Sequence, residues 1–543
     1  MKHRILVAMV IGLAITSPLS AQRAQTTAAI TAADLRQRLF RIADDSMKGR
    51  DTGSPEDSMT ADYVAAEFKR LGLRPAGEHG GWFQTVPFFV AAPSATSLTV
   101  RDGTLKSRTD FVVTGRPTSA PAAAEFTAVY GGFVGDTSTW ISEADAAGKV
   151  VVLDLKPVNG ATPAFSNALF NNPRFARARG VAIAALGVVS PAQQANFMRA
   201  PRPVLDTTRG PARPFQMLVT PAAAVKLMAS SPVQGDPSLH WVPIAHLARN
   251  VVGIVPGSDA KLRATYVSLT AHNDHVGICS APVDHDSLRA FNRVFRPMGA
   301  DTRTFIVTTD SAIRLRRQLQ DSLRAIRPAR PDSICNGADD DGSGTVSILE
   351  LAEYFAGLPQ AQRPKRSMLF VSHVAEEVGL VGSQWYTDHP TVPIDSIVAE
   401  IDMDMVGRGG ATDLPGGGPT YLEVVGLRRL SNEFGDLMEE ANKAQKLPFV
   451  FNYEFDVPGH PLQYYCRADH YNYARYGIPS WSISRGEHLD YHQVTDEPQY
   501  IDYDSMLRVV TLVRDGAIKV GNLDHAPKLD KPKQTDPHVR CVQ

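Results

Sequence analysis

From Asn250 onward, short apolar stretches that are typical of buried strands alternate with stretches of helical spacing. The candidate strands are Tyr266–Ala271, Met368–Ser372, Ile397–Ile401 and Pro479–Ile483. Regular alternation of this kind predicts an α/β fold, in which helices cover a central sheet. Because open α/β sheets bind ligands beyond the carboxyl ends of their strands, the residues that directly follow these strands are the candidate functional residues.

Polar residues follow these strands one after another. His272 and Asp274 come directly after the first strand, Glu376-Glu377 follows the second, and Asp404 follows the third. Tyr491-His492 lies in a loop late in the chain. Each group stands just past a strand or in a loop, so we expect all of them to converge on one rim of the sheet.

Three consecutive carboxylates, Asp339 to Asp341, stand between glycines just before an apolar run with helical spacing. Like charges this close repel, and a divalent metal is the simplest compensation. One interpretation is a calcium loop from Asp339 to Glu350, which fits the EF-hand spacing. That loop needs a helix directly upstream, and the Pro and Gly of residues 331–337 disfavour one. The alternatives are a metallohydrolase loop with one Asp as ligand, or an acidic loop in solvent.

The residues after the strands have the chemistry of a zinc site. His272, His492, Asp340, an aspartate after the third strand and one glutamate of the Glu376-Glu377 pair offer the imidazole nitrogens and carboxylate oxygens that two zinc ions accept, with one carboxylate shared. The other glutamate of the pair stays free to take a proton from a water molecule. Asp274 could hold the second ring nitrogen of the first histidine.

Size and charge limit the function classes. A chain of 543 residues is long enough for two or three domains, and its 43% hydrophobic content suits a large core. The net charge of −1 argues against nucleic-acid binding and offers no broad basic face for a membrane surface. Residues 1–21 combine a basic start, a short apolar run and small residues, which predicts a secretory signal peptide and an exported protein. The alternative is an N-terminal membrane anchor.

The four cysteines are compatible with disulfides in an exported protein. We favour a Cys279–Cys335 bond, because it would close the base of the segment between them. Cys466 and Cys541 could pair or stay free. A cysteine-based zinc site is disfavoured because the chain has no C-x-x-C motif.

The remaining segments of the chain differ in composition and in hydrophobic periodicity. Residues 29–73 have helical spacing, with Thr31 as the predicted N-cap of the first helix. Residues 119–245 are predicted to form a separate, inserted β-rich module. Residues 280–334 form an Arg-rich helical insert that either closes over the site or makes an oligomer contact. The polar tail at 524–543 is expected to be loose.

In these motifs the chain resembles the M28 family of di-zinc peptidases, the aminopeptidase and glutamate-carboxypeptidase relatives. The matching motifs, in the order of the family, are Ala271–Gly277, Gly337–Gly344, Glu376–Gly379, Asp404–Gly407, Arg467–His470 and Tyr491-His492. Lys48–Ser54 and Gly81–Gln84 are similar to the opening of the family, and the inserted module resembles a protease-associated (PA) domain.

The resemblance implies a mixed central sheet flanked by helices, with residues 22–118 and 246–523 forming the peptidase domain. It implies two Zn²⁺ per chain, with His272 and Asp404 on one ion, Glu377 and His492 on the other, and Asp340 bridging. Glu376 is then the general base, Tyr491 stabilises the oxyanion, and Arg467 contacts the substrate. The expected activity is that of an exported aminopeptidase acting on peptides, without stable membrane insertion after signal removal.

Several other interpretations stay open at this point. Within the enzyme class these are a carboxypeptidase and a glutaminyl-cyclase-like enzyme. Outside it stands a non-catalytic binding protein on the same fold. His275, His373, His470 and His488 are interpreted as structural histidines, and Asp284-His285-Asp286 as a solvated face. No serine-hydrolase elbow and no phosphate-binding loop are present in the sequence.

Overall fold

The computed structural model describes residues 26–115, 117, 123–155, 167–170, 172–189, 194, 203–205, 214–296 and 309–543. The predicted signal peptide lies outside the described residues. Within these ranges, none of the helices is both long and apolar enough to cross a lipid bilayer. The α-helices of the described ranges are Ala32–Ile42, Pro55–Arg70, Glu143–Ala146, Asn167–Phe170, Pro221–Ala229, His285–Phe295, Asp310–Arg324, Gly344–Gly357, Val381–Asp388, Asn432–Lys443, His470–Ala474 and Tyr503–Gly521.

A mixed nine-stranded sheet forms the centre of the peptidase-like part. Eight of its strands are, in spatial order, Arg74–Pro75, Ala248–Val255, Ser367–His373, Tyr266–His272, Ile397–Met403, Ser480–Ser484, Tyr421–Val425 and Val450–Asn452. The ninth, Phe83–Val86, pairs with Ala248–Val255. The four central strands, from Ser367–His373 to Ser480–Ser484, are parallel, so their carboxyl ends meet at one edge. The predicted α/β fold and its four predicted strands are confirmed.

Both faces of this sheet are covered, which is why its strands have continuous apolar runs rather than alternation. On one face Leu269 and Phe370 pack in a core with helices Ala32–Ile42, Gly344–Gly357 and Tyr503–Gly521. On the other face Leu369 and Val371 pack with Tyr386 and Tyr473, which belong to two short helices. Thr31 caps the first helix by accepting a hydrogen bond from the Asp34 backbone N–H, as predicted.

The β-rich module forms two sheets of its own. Its five-stranded sheet has the order Phe111–Thr114, Phe215–Val219, Gly180–Ala184, Val150–Asp154 and Ala128–Phe133. Its four-stranded sheet has the order Gly103–Lys106, Ser97–Val100, Val233–Gln234 and Glu125–Phe126. The strands between residues 97 and 114 pair here because Leu98 and Phe111 are buried in the core of the module. The module therefore begins before the predicted boundary at residue 119.

The insert stands on a two-stranded ribbon, Ile278–Asp284 with Pro331–Ile334. Helices His285–Phe295 and Asp310–Arg324 lie between these strands in the chain and pack against each other. The Cys279–Cys335 disulfide closes the base of the insert, as predicted. A second ribbon, Phe89–Pro93 with Leu239–Pro243, joins the β-rich module to the rest of the chain.

The C-terminal tail is anchored, so the expectation of a loose tail is wrong. Cys541 forms a disulfide with Cys466 across a Cα–Cα distance of 5.7 Å. The Gln543 side chain donates to the carbonyl oxygen of Phe455 and accepts from the backbone N–H of Tyr465. The polar composition of the tail did not reveal these two attachments, because both depend on residues far away in the chain.

Candidate active site

The carboxyl ends of the parallel strands bring the predicted metal-binding residues together. The first cluster contains His272, Asp340 and Asp404, in which His272 Nε2 lies 3.2 Å from Asp340 Oδ1 and 3.8 Å from Asp404 Oδ1. In the second cluster, His492 Nε2 lies 3.0 Å from both Asp340 Oδ2 and Glu377 Oε2. The two oxygens of Asp340 therefore face different clusters.

Many polar atoms of these clusters are buried without a hydrogen-bond partner. They are His272 Nε2, Asp340 Oδ2, Glu377 Oε1, Asp404 Oδ1 and His492 Nε2. A buried polar atom that stays unpaired costs on the order of 1–3 kcal/mol, so this concentration needs an explanation. Imidazole nitrogens and carboxylate oxygens at this spacing are the donor set of zinc. The residues present therefore fit a zinc centre.

The charges of the clusters depend on each other. Burial alone raises the pKa of the Asp340 carboxyl, but the adjacent imidazoles of His272 and His492 hold that pKa well below its usual range. Burial lowers the pKa of His492, and the Asp340 and Glu377 carboxylates raise it to about 11. A divalent cation competes with these protons for the same atoms, so metal binding releases protons here.

Glu376 lies at the edge of the first cluster, with its Oε2 3.9 Å from His272 Nε2. It belongs to neither of the two clusters of candidate ligands. Burial, and then repulsion by Glu377 and Asp404, raise the pKa of Glu376 well above its usual value. A carboxyl group that holds a proton readily and faces the same cavity as the candidate ligands can accept and return a proton.

Asp274 positions two of these residues. The carbonyl oxygen of Asp274 lies 3.1 Å from His272 Nδ1, and its carboxylate lies 3.5 Å from the same atom. The carboxylate also accepts from the backbone N–H of Glu376 and from the hydroxyl of Thr52. The nearest acceptor for His272 Nδ1 is therefore the main chain of Asp274 rather than the side chain that the sequence suggested.

The three carboxylates of the acidic triplet make different contacts. Asp341 accepts hydrogen bonds from the backbone N–H groups of His272 and Gly344, and Asp339 accepts from that of Gly407. Only Asp340 belongs to the candidate metal clusters. The calcium-loop interpretation is wrong, because a strand, Pro331–Ile334, stands where an EF-hand needs a helix. The triplet is also buried, which excludes the solvated acidic loop.

His275 lies in the second cluster, although the sequence analysis interpreted it as a structural histidine. Its Nδ1 lies 2.8 Å from Glu377 Oε1 and 3.6 Å from Asp340 Oδ2. The ring is completely buried, and both of its nitrogens lack a hydrogen-bond partner. The available signal was its position three residues after His272, just past the same strand.

Tyr491 and Arg467 both line the cavity beside the clusters. The Tyr491 ring stacks on His492, with the ring centroids 3.9 Å apart. Burial and the nearby Asp340 and Glu377 carboxylates raise the pKa of Tyr491 well above its usual value, so its hydroxyl stays a hydrogen-bond donor. Arg467 pairs with Glu487 at 2.7 Å.

The other histidines that the sequence analysis set aside are structural. His373 Nε2 lies 3.0 Å from the Tyr473 hydroxyl, and burial lowers the pKa of His373 to about 3. His470 is completely buried, and burial lowers its pKa to about 3 as well. His488 Nε2 lies 3.1 Å from Asp339 Oδ2, which is a contact behind the metal-binding loop.

His285 and Asp286 are buried and Asp284 is partly buried, so the interpretation as a solvated face is wrong. Asp284 and Asp286 pair with Arg324 of the second insert helix, and Asp286 pairs also with Arg327. His285, Asp332 and Glu497 form a third group of possible ligands. The Arg330 guanidinium lies 2.9 Å from His285 Nδ1, so a fixed cation already stands beside this group.

The sequence of the chain is similar to those of known peptidases. Leucine aminopeptidase 1 of Paracoccidioides brasiliensis is 30% identical over 178 residues, which are 32% of this chain and 43% of that protein. A vacuolar membrane protease of Candida glabrata is 28% identical over 204 residues, 37% of this chain and 19% of that protein. The chain thus spans less than half the length of these two curated relatives.

Comparison of structures finds a zinc aminopeptidase from Bacillus subtilis with a TM-score of 0.46 and 16% identity, covering 93% of this chain and all of that one. The model of peptidase family M28 matches residues 250–517. That range contains both clusters and Glu376. Residues 250–517 of the chain belong to peptidase family M28.

Proposed function

We propose that the chain is an exported aminopeptidase that uses two zinc ions and the general base Glu376 to hydrolyse N-terminal peptide bonds. The observation that carries this proposal is the position of Asp340, with Oδ1 3.2 Å from His272 and Oδ2 3.0 Å from His492. One carboxylate that faces two donor clusters is the arrangement that a pair of metal ions requires.

The five predicted ligands divide between two ions in this proposal. His272 and Asp404 hold one ion, Glu377 and His492 hold the other, and Asp340 contacts both. His275 is close enough to Glu377 and Asp340 to join the second ion or to position its ligands. When bound, the zinc ions supply Lewis acidity and lower the pKa of water toward neutrality.

Glu376 moves the proton in this mechanism. Its carboxylate accepts a proton from the water that attacks the peptide carbonyl, and it then delivers that proton to the leaving amine. The raised pKa of Glu376 suits both steps, because a weakly acidic carboxyl group holds the proton between them. Its exclusion from both ligand clusters leaves the carboxylate available for this role.

Tyr491 stabilises the oxygen that becomes negative when the carbonyl is attacked. Tyr491 lines the cavity together with Glu376 and Asp404, and stacking on His492 holds the ring in place. A hydrogen-bond donor of this kind contributes about 3–4 kcal/mol to stabilisation of the transition state.

Two observations support the choice of an exported aminopeptidase. A relative with the matching segment carries the name leucine aminopeptidase 1. Export is supported by the two disulfides, Cys279–Cys335 and Cys466–Cys541, because disulfides persist in oxidising compartments.

The test combines elemental analysis of the purified protein with hydrolysis of free and N-blocked aminoacyl substrates. We expect about two zinc ions per chain and cleavage of the free substrates alone. Cleavage of N-blocked peptides at their C-terminus contradicts the aminopeptidase assignment and supports a carboxypeptidase. One zinc ion per chain with cyclisation of N-terminal glutamine supports the cyclase-like alternative.

A further inference from the structure

The cavity beside the candidate ligands extends away from them along the sheet. Asp340, Glu376 and Asp404 line its near end, whereas Glu423, Arg467 and Glu487 also line its wall. Because it is continuous with the residues that act on the peptide bond, this cavity is the candidate site for a side chain of the substrate.

Three neighbouring strands place Asp404, Ser484 and Glu423 in one row. The register pairs Met403 with Ile483, so Asp404 continues beside Ser484, and Ser484 pairs with Glu423 on the next strand. Neighbouring strands lie about 4.8 Å apart. The backbone of Glu423 is therefore about 10 Å from that of Asp404, two strand spacings along the floor of the cavity.

This separation decides which substrate group Glu423 can reach. The α-amine of a bound peptide lies within about 2.5 Å of the carbonyl carbon under attack, so it stays beside the zinc ligands. A lysine side chain extends about 6 Å from its Cα to its ammonium group, and an arginine side chain extends slightly farther. The ammonium group of a basic side chain therefore reaches farther along the row toward Glu423 than the α-amine does.

The floor between these two ends is open. Ser482 and Ser484 face the cavity from the middle strand, while Ile483 points into the core on the opposite face. The corresponding residues of the next strand are Glu423 and Val425, and Leu422 and Val424 belong to the core. The small serine side chains leave the space above the sheet free for a long substrate side chain.

Glu423 itself is a buried carboxyl group in the wall of the cavity. It is 2% exposed, and its Oε2 accepts a long hydrogen bond of 3.3 Å from the Tyr421 hydroxyl. Arg467 pairs with Glu487 at 2.7 Å, and its charge partly offsets the rise in the pKa of Glu423. Burial, and then the charge of Glu487, raise the pKa of Glu423 to about 8. A buried carboxylate in this situation gains free energy when a cation reaches it.

We propose that Glu423 is the specificity-determining residue of an acidic subsite, with Glu487 at its mouth, that binds the basic side chain of an N-terminal lysine or arginine. This inference rests on the proposed aminopeptidase function and names its substrate class. Glu487 is less buried than Glu423 and already shares its charge with Arg467, so its contribution is smaller.

The experiment compares substrates that differ only in the side-chain cation. Lysine, arginine, leucine and norleucine 4-nitroanilides are hydrolysed by the wild type and by E423Q, with zinc content and melting temperature measured for each protein. We expect the wild type to favour lysine over norleucine at least tenfold in kcat/KM. E423Q should lower that ratio about tenfold or more, mainly through a higher KM for lysine, with a much smaller effect on the KM for norleucine.

Two further variants test whether the effect is specific to Glu423. E487Q should lower the lysine-to-norleucine ratio by a smaller factor, because Glu487 stands at the mouth. Glu454 is exposed and lies outside the cavity, so E454Q makes the same charge change nearby and should leave the ratio as in the wild type. Binding of free L-lysine and L-norleucine, measured by calorimetry, provides a readout that needs no turnover.

The outcomes separate the subsite from the aminopeptidase function. The subsite is overturned if the wild type favours norleucine over lysine. It is also overturned if E423Q loses activity equally on all substrates. Equal loss would instead show that Glu423 acts on the shared α-amine or on the fold. A wild type that cleaves no free aminoacyl substrate contradicts the aminopeptidase function. In that case tighter binding of lysine than norleucine still supports the acidic subsite, and equal binding overturns it.

Discussion

The Arg50 guanidinium donates a hydrogen bond of 2.8 Å to the carbonyl oxygen of Gly337, at the start of the acidic loop. The same group donates to the carbonyl oxygens of Asn336 and Asn273, and it is completely buried. Arg50 thus ties the loop that carries Asp340 to the strand end that carries His272. The Lys48–Ser54 motif, which sequence alone connected only with a family resemblance, has a physical role in positioning these ligands.

Replacing Arg50 with lysine should weaken zinc binding and destabilise the fold together. A single ammonium group cannot satisfy several separate carbonyl oxygens, and each buried carbonyl left unpaired costs about 1–3 kcal/mol. We expect R50K to melt several degrees lower and to lose zinc at a lower chelator concentration. Chelator competition and thermal melts measure both effects.

Lys48 provides the matched control for this change. It belongs to the same loop, but its side chain is 61% exposed and pairs only with Glu56. K48Q should therefore keep the melting temperature and the zinc affinity of the wild type. An R50K protein that binds zinc as tightly as the wild type would show that the loop holds Asp340 in place without the arginine.

The Glu376→Gln change should remove catalysis and leave the metal in place. The amide cannot accept the proton of water, and general-base catalysis is worth about 10²–10⁴-fold in rate. We expect kcat to fall by that factor while zinc content and KM stay close to the wild type. The neighbouring E377Q removes a candidate ligand, so it should lose zinc as well as activity. Full activity in E376Q contradicts the proposed mechanism.

The Asp340→Asn and Asp341→Asn changes should separate metal binding from folding. D340N removes the shared ligand, so we expect loss of both zinc ions with little effect on the melting temperature of the chelated protein. D341N disturbs a carboxylate that accepts from the backbone N–H groups of His272 and Gly344. Its chelated form should lose about 1–3 kcal/mol of stability. Equal behaviour of the two variants in chelator would contradict this division of roles.

The Glu423→Gln change should alter how stability depends on pH. The pKa of Glu423 is raised from 4.5 to about 8 by burial and by Glu487, while Tyr421 and Arg467 act in the opposite direction and Glu454 adds repulsion. The folded chain therefore holds this proton between pH 4.5 and 8. The contribution of Glu423 to stability is complete below pH 4.5 and is lost as the pH rises through 8.

In chelator, E423Q should therefore have the same melting temperature as the wild type at pH 5 and a higher melting temperature at pH 9. Each unit of pKa difference between the folded and unfolded chain corresponds to about 1.4 kcal/mol. The two proteins should therefore differ in free energy of unfolding at high pH by on the order of a few kcal/mol. Melting temperatures measured in chelator across this range provide the test, with E454Q as the control for the same charge change at an exposed position. A difference that is constant with pH would mean that Glu423 does not titrate in this window.

The order of strands, helices and polar residues along the chain was sufficient to predict the α/β fold and to bring the candidate metal-binding residues to one edge of its sheet. Continuous apolar runs such as Tyr266–His272 are long enough to be recognised as strands buried on both faces. Three of the four runs are followed within four residues by His272, Glu376 or Asp404, and parallel strands bring their carboxyl ends to one edge. These relationships join residues that are close in the sequence, so the spacing of the residues is enough to predict them.

Only the tertiary structure decided how neighbouring residues of the same type divide their roles. Asp339, Asp340 and Asp341 are chemically identical, and backbone N–H groups from distant strands determine that Asp340 alone faces the clusters. The burial of His275 beside Glu377 and the isolation of Glu423 two strands from Asp404 likewise depend on long-range packing. Composition and periodicity cannot record such contacts, because a side chain's charge and ligand role are set by the groups that fold against it.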